Sequence, residues 1–450
     1  MKDVKHTPIF HLVQSSTSSE DESTPIKSST TNLLYQTGKL PLISNRLLTF
    51  WPYTIGTNKG TEDKFLNFRL PNRALLLLLL YLLLNIGFFY RYIRDNFLKN
   101  DIPSHLFPKL DLVCFALWNL MIVAADTVVR FYGAVKLSKL KLFWLEVVDL
   151  VEQFNELISQ EEIEERFKVI KKWGLKWIFG FSLLAAILIP TCAYYFLFAS
   201  TIPKDPVTLV ALGYMFFFIC TNNVRAFLLI FFMKIITCGF SVCKTALQQA
   251  SIEAEANTND MILMEYIKRP TPGHKFGKST YPNVNNFATK NKLDKILKLV
   301  EKLESSVANF NSLFGFILFV EVVLGVLQIL FSMYFLHLDS VAQDITYYVI
   351  MVMQFTIYAV SVICLCIAAS RLTMEAEDMI RKFQNLPSAT LSLDVYKIQL
   401  LVSRLASNPP KIRVSNLFEI REALLGAALN TIATYFVVLV QMRIAYKDTK

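Results

Sequence analysis

Residues 434–443 read TYFVVLVQMR and sit inside a longer apolar run, 423–445. Wound as a helix, a run of that length spans a hydrocarbon core of roughly 30 Å. It also holds an amide, Gln441, one turn beyond Val437 and Val438. A polar side chain in such a segment is costly unless it bonds a neighbouring helix or faces a water-filled space. Which of the two applies to Gln441 decides what kind of membrane protein this is.

The rest of the chain points to a polytopic membrane protein. Of 450 residues, 54% are hydrophobic and 18% charged, and the mean hydropathy is +0.41, a balance far from that of soluble domains. Six further windows match the last in length and character: 74–93, 111–132, 176–199, 207–238, 313–336 and 346–370. The predicted fold class is therefore all-α with seven transmembrane helices, because a lipid-exposed backbone must satisfy its own hydrogen bonds. Roughly the first 32 residues are rich in Ser, Thr and acidic side chains, lack an apolar h-region and predict disorder. The 7 cysteines show no CxxC framework, so buried free thiols are expected. Cys364 and Cys366 would point to different faces of one helix, which disfavours a metal site.

A net charge of +10 raises the question of nucleic acid, but the basic residues follow the spans instead. Segments 1–73, 130–176, 239–312 and 371–422 hold 36 of the 46 Lys and Arg residues. Basic side chains favour the cytoplasmic side, which predicts a cytosolic N-terminus and an extracellular C-terminus. The expected organisation is a cytosolic region at 1–73, a membrane domain at 74–445 with cytosolic extensions at 130–176, 239–312 and 371–422, and an outer tail at 446–450. The extensions are partly amphipathic: Leu293, Ile296, Leu297, Val300, Leu303 and Val307 recur at helical spacing, and 137–167 and 395–405 read similarly. They predict a packed helical base, with helices lying on the membrane surface as the alternative. Residues 257–286, with their Pro, Gly and Asn, read as an irregular loop.

Against that topology, TYFVVLVQM resembles a motif in the last span of insect gustatory receptors: Thr-Tyr, five apolar residues, then Gln-Phe. Thr434, Tyr435, the run Phe436 to Val440 and Gln441 carry the match, and Met442 stands where the family has Phe. Upstream, Leu417, Phe418, Arg421 and Leu424 resemble the family's approach to that span. The resemblance implies a ligand-gated, non-selective cation channel that passes Na, K and Ca ions. It implies a homotetramer, or a hetero-oligomer with other gustatory receptors, in the plasma membrane of a chemosensory dendrite. In it the last span of each subunit lines one pore. Thr434, Val438, Gln441 and Ala445 fall along one helical stripe, which would face that pore. A Val438 ring closes such a pore by dewetting, and Gln441 amides offer dipoles to a passing cation. Met442 is the further gate candidate, while Tyr435 falls off the stripe and is expected between helices.

Little chain is predicted outside the membrane, so an extracellular ligand must be small and enter the bundle. Aromatic and amide groups populate the outer halves of the spans: Trp118, Asn119, Tyr194, Tyr195, Tyr214, Gln328, Tyr334, Tyr347, Tyr348 and Gln354. They are candidate ligand contacts, with interfacial anchoring as the rival role for the tyrosines. Glu321 is either a ligand or gating contact or a partner for a neighbouring helix, and Asp126 with Arg225 is expected to form an ion pair. Lys234 is placed to snorkel. A single indole, Trp118, in the outer half tilts the tastant toward a bitter or plant compound, with sugar as the alternative. A transporter would show broken helices and an internal repeat, and a G-protein-coupled receptor would sit the other way round. No HExxH, nucleophile elbow or phosphate-binding Gly loop marks an enzyme, and no cofactor is expected.

Overall fold

A computed structural model describes residues 28–47, 54–57, 64–67, 83, 86–87, 90, 109–194, 206–267, 284–337, 345–385, 395–415 and 417–448. Among them are nine helices: α1 (Ser28–Leu47), α2 (Lys109–Val135), α3 (Leu137–Phe154), α4 (Gln160–Tyr194), α5 (Pro206–Ile267), α6 (Val284–Leu336), α7 (Ile345–Gln384), α8 (Val395–Ser407) and α9 (Glu422–Asp448). Strands β1 (Thr54–Thr57) and β2 (Lys64–Asn67) pair antiparallel with Thr54 opposite Asn67. β3 (Arg413–Val414) and β4 (Phe418–Glu419) form a second short antiparallel pair. The predicted first span, 74–93, lies outside the described residues except for helical positions 83, 86, 87 and 90.

Five described helices are long and apolar enough to cross a membrane. They fall into central and peripheral classes. The apolar windows of α5 and α6 are 83% and 67% buried inside the protomer, and that of α9 only 6%. α5, α6 and α7 pack on one another at the centre, α2 and α9 lie on α6, and α4 lies on α7.

The amphipathic extensions do pack, and do not lie as separate surface helices. Ile296, Val300 and Leu303 are fully buried beside Val147, Val151 and Phe154 of α3 and Phe240 of α5, in one core continuous with the spans. Phe143 sits between Phe232 and Phe314 at 5.2 and 5.5 Å, edge-on to both, a favoured aromatic geometry. The two short strand pairs and two helices depart from the sequence reading. α5 continues to Ile267, into the expected loop at 257–286, since no Gly or Pro occurs between 257 and 269. α1, unforeseen because it contains Pro41 and lacks strong apolar periodicity, buries Leu34, Tyr35 and Leu42 in the same core.

Gly325 marks the tightest contact in the centre. A Cβ there would stand 2.4 Å from Cγ2 of Val362, so α6 and α7 approach closely because the side chain is a hydrogen. Gly325→Ala should therefore destabilise the protein by about 1–3 kcal/mol through overpacking. Gly180→Ala, mid-helix where an added Cβ meets nothing within 4 Å, should hold or slightly raise the melting temperature in detergent, since Ala suits a helix interior better than Gly.

Candidate functional site

α9 touches its own protomer along one stripe. Ile432 is buried against Ile329, Leu330 and Tyr358, with Phe436 and Leu439 packed beside it. One turn on, Arg443 donates to the His337 carbonyl at 3.4 Å, and the His337 ring meets Phe436 edge-on at 5.9 Å. The inward positions are thus 432, 436, 439 and 443. Thr434, Val438 and Gln441 each stand two residues from an inward position, about 200° around the helix, and Ala445 lies two beyond Arg443. All four are exposed, as is Met442, and Val438 keeps 41% of its surface. The stripe predicted from sequence is the face that α9 turns away from its protomer.

This geometry bears on the two readings of Gln441. Among the described residues its amide bonds no other helix of the same protomer, and the side chain is exposed. Tyr435, expected between helices, is 56% exposed in the protomer. The Thr434 hydroxyl donates to the Asn430 carbonyl at 2.9 Å, leaving an oxygen lone pair on the outward face.

A second cluster lies between α2, α6 and α7. Trp118 is buried and donates its indole N–H to Oε1 of Gln328, itself fully buried. Ile122, Phe331, Tyr334, Phe335 and Met351 pack around it, with the Trp118 and Phe335 rings 5.4 Å apart. Gln354 stands one turn after Met351 on α7 and is buried as well. Three buried polar atoms here have no hydrogen-bond partner among the described residues: Nε2 of Gln328, Oγ of Ser332 and Oε1 of Gln354. An unsatisfied buried donor or acceptor costs about 1–3 kcal/mol, so these atoms suit a polar group brought in by a small molecule. Ser332 was not legible as a candidate. Its signal is its spacing, one turn beyond Gln328 on the same face.

The other candidates divide. Tyr334 is buried in this cluster. Tyr194 and Tyr348 are 58% and 45% exposed, turned away from the bundle interior as anchoring tyrosines are. The side chains of Asn119, Tyr214 and Tyr347, and the whole of Tyr195, lie outside the described residues.

Glu321 belongs to a buried charge cluster two turns from Gln328. Arg225 donates from Nη1 to Asp126 at 2.5 Å, from Nε to Glu321 at 2.5 Å and from Nη2 to Asn222. Asp126 also accepts from Arg130 at 2.6 Å, and the Asn222 amide reaches the Tyr358 hydroxyl at 3.4 Å. The expected Asp126–Arg225 pair is present, but as half of a neutral foursome that ties α2, α5 and α6. Arg130 was missed because it sits where the span 111–132 meets the basic extension 130–176 and counts there as one more cytosolic cation, although its i, i+4 relation to Asp126 is visible in the sequence. Lys234, expected to snorkel, lies with Nζ 4.6 Å from the centre of the Trp173 ring. Breaking a buried pair by removing one partner costs about 3–5 kcal/mol. Arg225→Met should thus strip most folded protein from a size-exclusion profile. Adding Glu321→Gln, which leaves the Asp126–Arg130 pair neutral, should restore part of it.

Residues 46–446 match the family described as 7tm chemosensory receptor. No curated protein matches the sequence. Among solved structures, the insect olfactory receptor OR5 from Machilis hrabei in complex with eugenol is similar in fold, with a TM-score of 0.63 at 15% identity, over 92% of this chain and 100% of that one. The same receptor without eugenol in its description is equally similar, with a TM-score of 0.63 at 15% identity, over 91% and 98%. With nearly the whole chain covered by the family match, and apolar helices arranged as in the olfactory receptor, this protein belongs to the 7tm chemosensory receptor family.

Proposed function

We propose that the chain is a gustatory receptor that acts as a ligand-gated, non-selective cation channel, four copies meeting around one pore lined by α9. The supporting observation is the exposed stripe of Thr434, Val438 and Gln441, set opposite the face by which α9 holds its own protomer. A mostly apolar helix only 6% buried needs cover from lipid or other subunits, while an exposed amide at Gln441 is best placed facing water. The Val438 ring is the closed constriction and Met442 adds bulk beside it, while Gln441 offers its carbonyl dipole to Na, K or Ca ions.

In this reading the N-terminus and helical base are cytosolic, the C-terminus is outside, and the protein resides in the plasma membrane of a chemosensory dendrite. The tastant sits beside Trp118, Gln328, Ser332 and Gln354, where aromatic walls and unpaired amide and hydroxyl groups suit a small organic molecule. A bitter or plant compound fits this lining better than a sugar, since the one indole is already committed to Gln328. The similar fold of a receptor described with eugenol supports a small organic ligand.

Whole-cell recording from cells expressing only this chain tests the reading. A panel of plant toxins and sugars should evoke a cation current that persists when GTP is withheld, and dependence on GTP would contradict it. Gln441→Ala should change relative ion permeability or block, while Gln328→Ala should weaken ligand potency about tenfold, the loss of roughly 1.4 kcal/mol. If Gln441→Ala alters only potency, the amide does not line the pore.

A further inference from the structure

A cleft of about 550 Å³ opens between the end of α2, the middle of α6 and the segment that joins α8 to α9. Its lining includes Tyr132, Glu304, Asn311, Ser312, Lys411 and Arg413. Three separate points of the chain set its depth. Tyr132 closes the apolar window 111–132, Ser312 precedes the window 313–336, and α9 begins at Glu422. All three place the cleft at one membrane–water boundary, on the side where the basic helical extensions emerge.

The charges around it do not balance. Arg404 pairs with Glu304 at 2.6 Å. Lys411, Arg413 and Arg421 then share a single carboxylate, Glu419, at 3.2, 3.9 and 3.0 Å. Among the described residues the cleft lining itself thus carries two cations, Lys411 and Arg413, and one carboxylate, Glu304, which Arg404 neutralises from outside the lining. Lys411 and Arg413 remain 20% and 41% exposed, open to a partner from outside.

The cationic wall is held in place by α6. The Asn311 amide donates to the Lys411 carbonyl at 2.7 Å, and its carbonyl oxygen accepts the Arg413 backbone N–H at 3.0 Å. The backbone presses against Gly315, where a Cβ would stand 3.0 Å from the Ser415 nitrogen and 3.3 Å from the Arg413 carbonyl. Ser415 turns the chain at φ 46°, a conformation uncommon for residues other than glycine. With the backbone fixed, only the Lys411 and Arg413 side chains remain to be ordered on binding.

We infer that this cleft binds a phosphate-bearing anionic group, that of an inner-leaflet lipid headgroup or of a soluble phosphate. Basic pockets between spans on the cytoplasmic side recognise such headgroups, and Arg with phosphate forms charge-assisted hydrogen bonds. Placement in the inner leaflet rests on the orientation proposed above. The site itself does not require channel activity.

Binding is therefore read on the purified full chain in phosphatidylcholine nanodiscs, with fluorescent phosphatidylinositol bisphosphate as one probe and soluble inositol trisphosphate as the other. The lipid should bind, and Lys411→Gln with Arg413→Gln should weaken it about tenfold. The matched surface pair Lys168→Gln with Lys171→Gln should leave it unchanged, and Lys411→Arg with Arg413→Lys should retain it. Where the Gln double variant fails to elute as folded protein, Lys411→Gln alone carries the comparison. Displacement of the lipid by the soluble phosphate shows that the phosphate suffices from either source, and its failure shows that the lipid is required. Equal lipid affinity in the wild type and the Gln variants, or no binding of either probe, overturns the inference, and a silent channel that still binds lipid leaves it standing.

Discussion

A membrane helix must find cover around its whole circumference, and α9 finds it within the protomer along one stripe only. Ile432, Phe436 and Leu439 hold it against α6 and α7, while Val437, Val438, Met442 and Ile444 remain exposed. In lipid alone the apolar part of that surface would be content, but Thr434 and Gln441 would not. Placing the outward stripe on a shared aqueous axis satisfies both kinds of residue at once, with lipid and neighbouring subunits covering the flanks. In the proposed channel, sealing and permeation thus follow from the arrangement of one helix.

The centre that α9 leans on is unusually polar for a membrane bundle. Glu321, Gly325, Gln328 and Ser332 succeed one another along one face of α6 at helical spacing. They run from the charge cluster, through the tight approach to Val362, to the amides beside Trp118. The same α6 also carries the contacts of Ile329 and Leu330 with Ile432. In the proposed mechanism, a ligand that repacks the Trp118 cluster acts on the helix against which α9 rests, without needing to touch α9. Such coupling requires that the ligand bind one packing of α6 better than another.

Much of this was legible in the sequence because the bilayer restricts the alternatives. Apolar runs near 20 residues must be helices, so five of the seven expected spans coincide with helices apolar enough to cross, and 111–132 lies within α2. The amphipathic periodicity of 293–307 gave most of its buried face: Leu293, Ile296, Val300, Leu303 and Val307 are buried, whereas Leu297 is only partly so and the fully buried Leu299 falls outside the pattern. The Thr434–Val438–Gln441 stripe follows from helical spacing and the family motif. Which way that stripe faces required packing information, since α9 is apolar nearly all round and its own periodicity selects no face. Apart from the Asp126–Arg225 pair, tertiary pairing was likewise beyond sequence reach. Arg130 and Ser332 gain meaning from what α5, α6 and α7 bring beside them, and the choice between ligand contact and interfacial anchor for Tyr194 and Tyr348 turns on their exposure.

Electron-microscopic imaging of the assembled protein in a lipid nanodisc tests the central claim most directly. The account predicts four copies around one axis, with Val438 and Gln441 of every α9 nearest that axis and Ile432 turned back into its own protomer. A particle in which that stripe meets lipid, with another helix at the centre or no central opening, would contradict it.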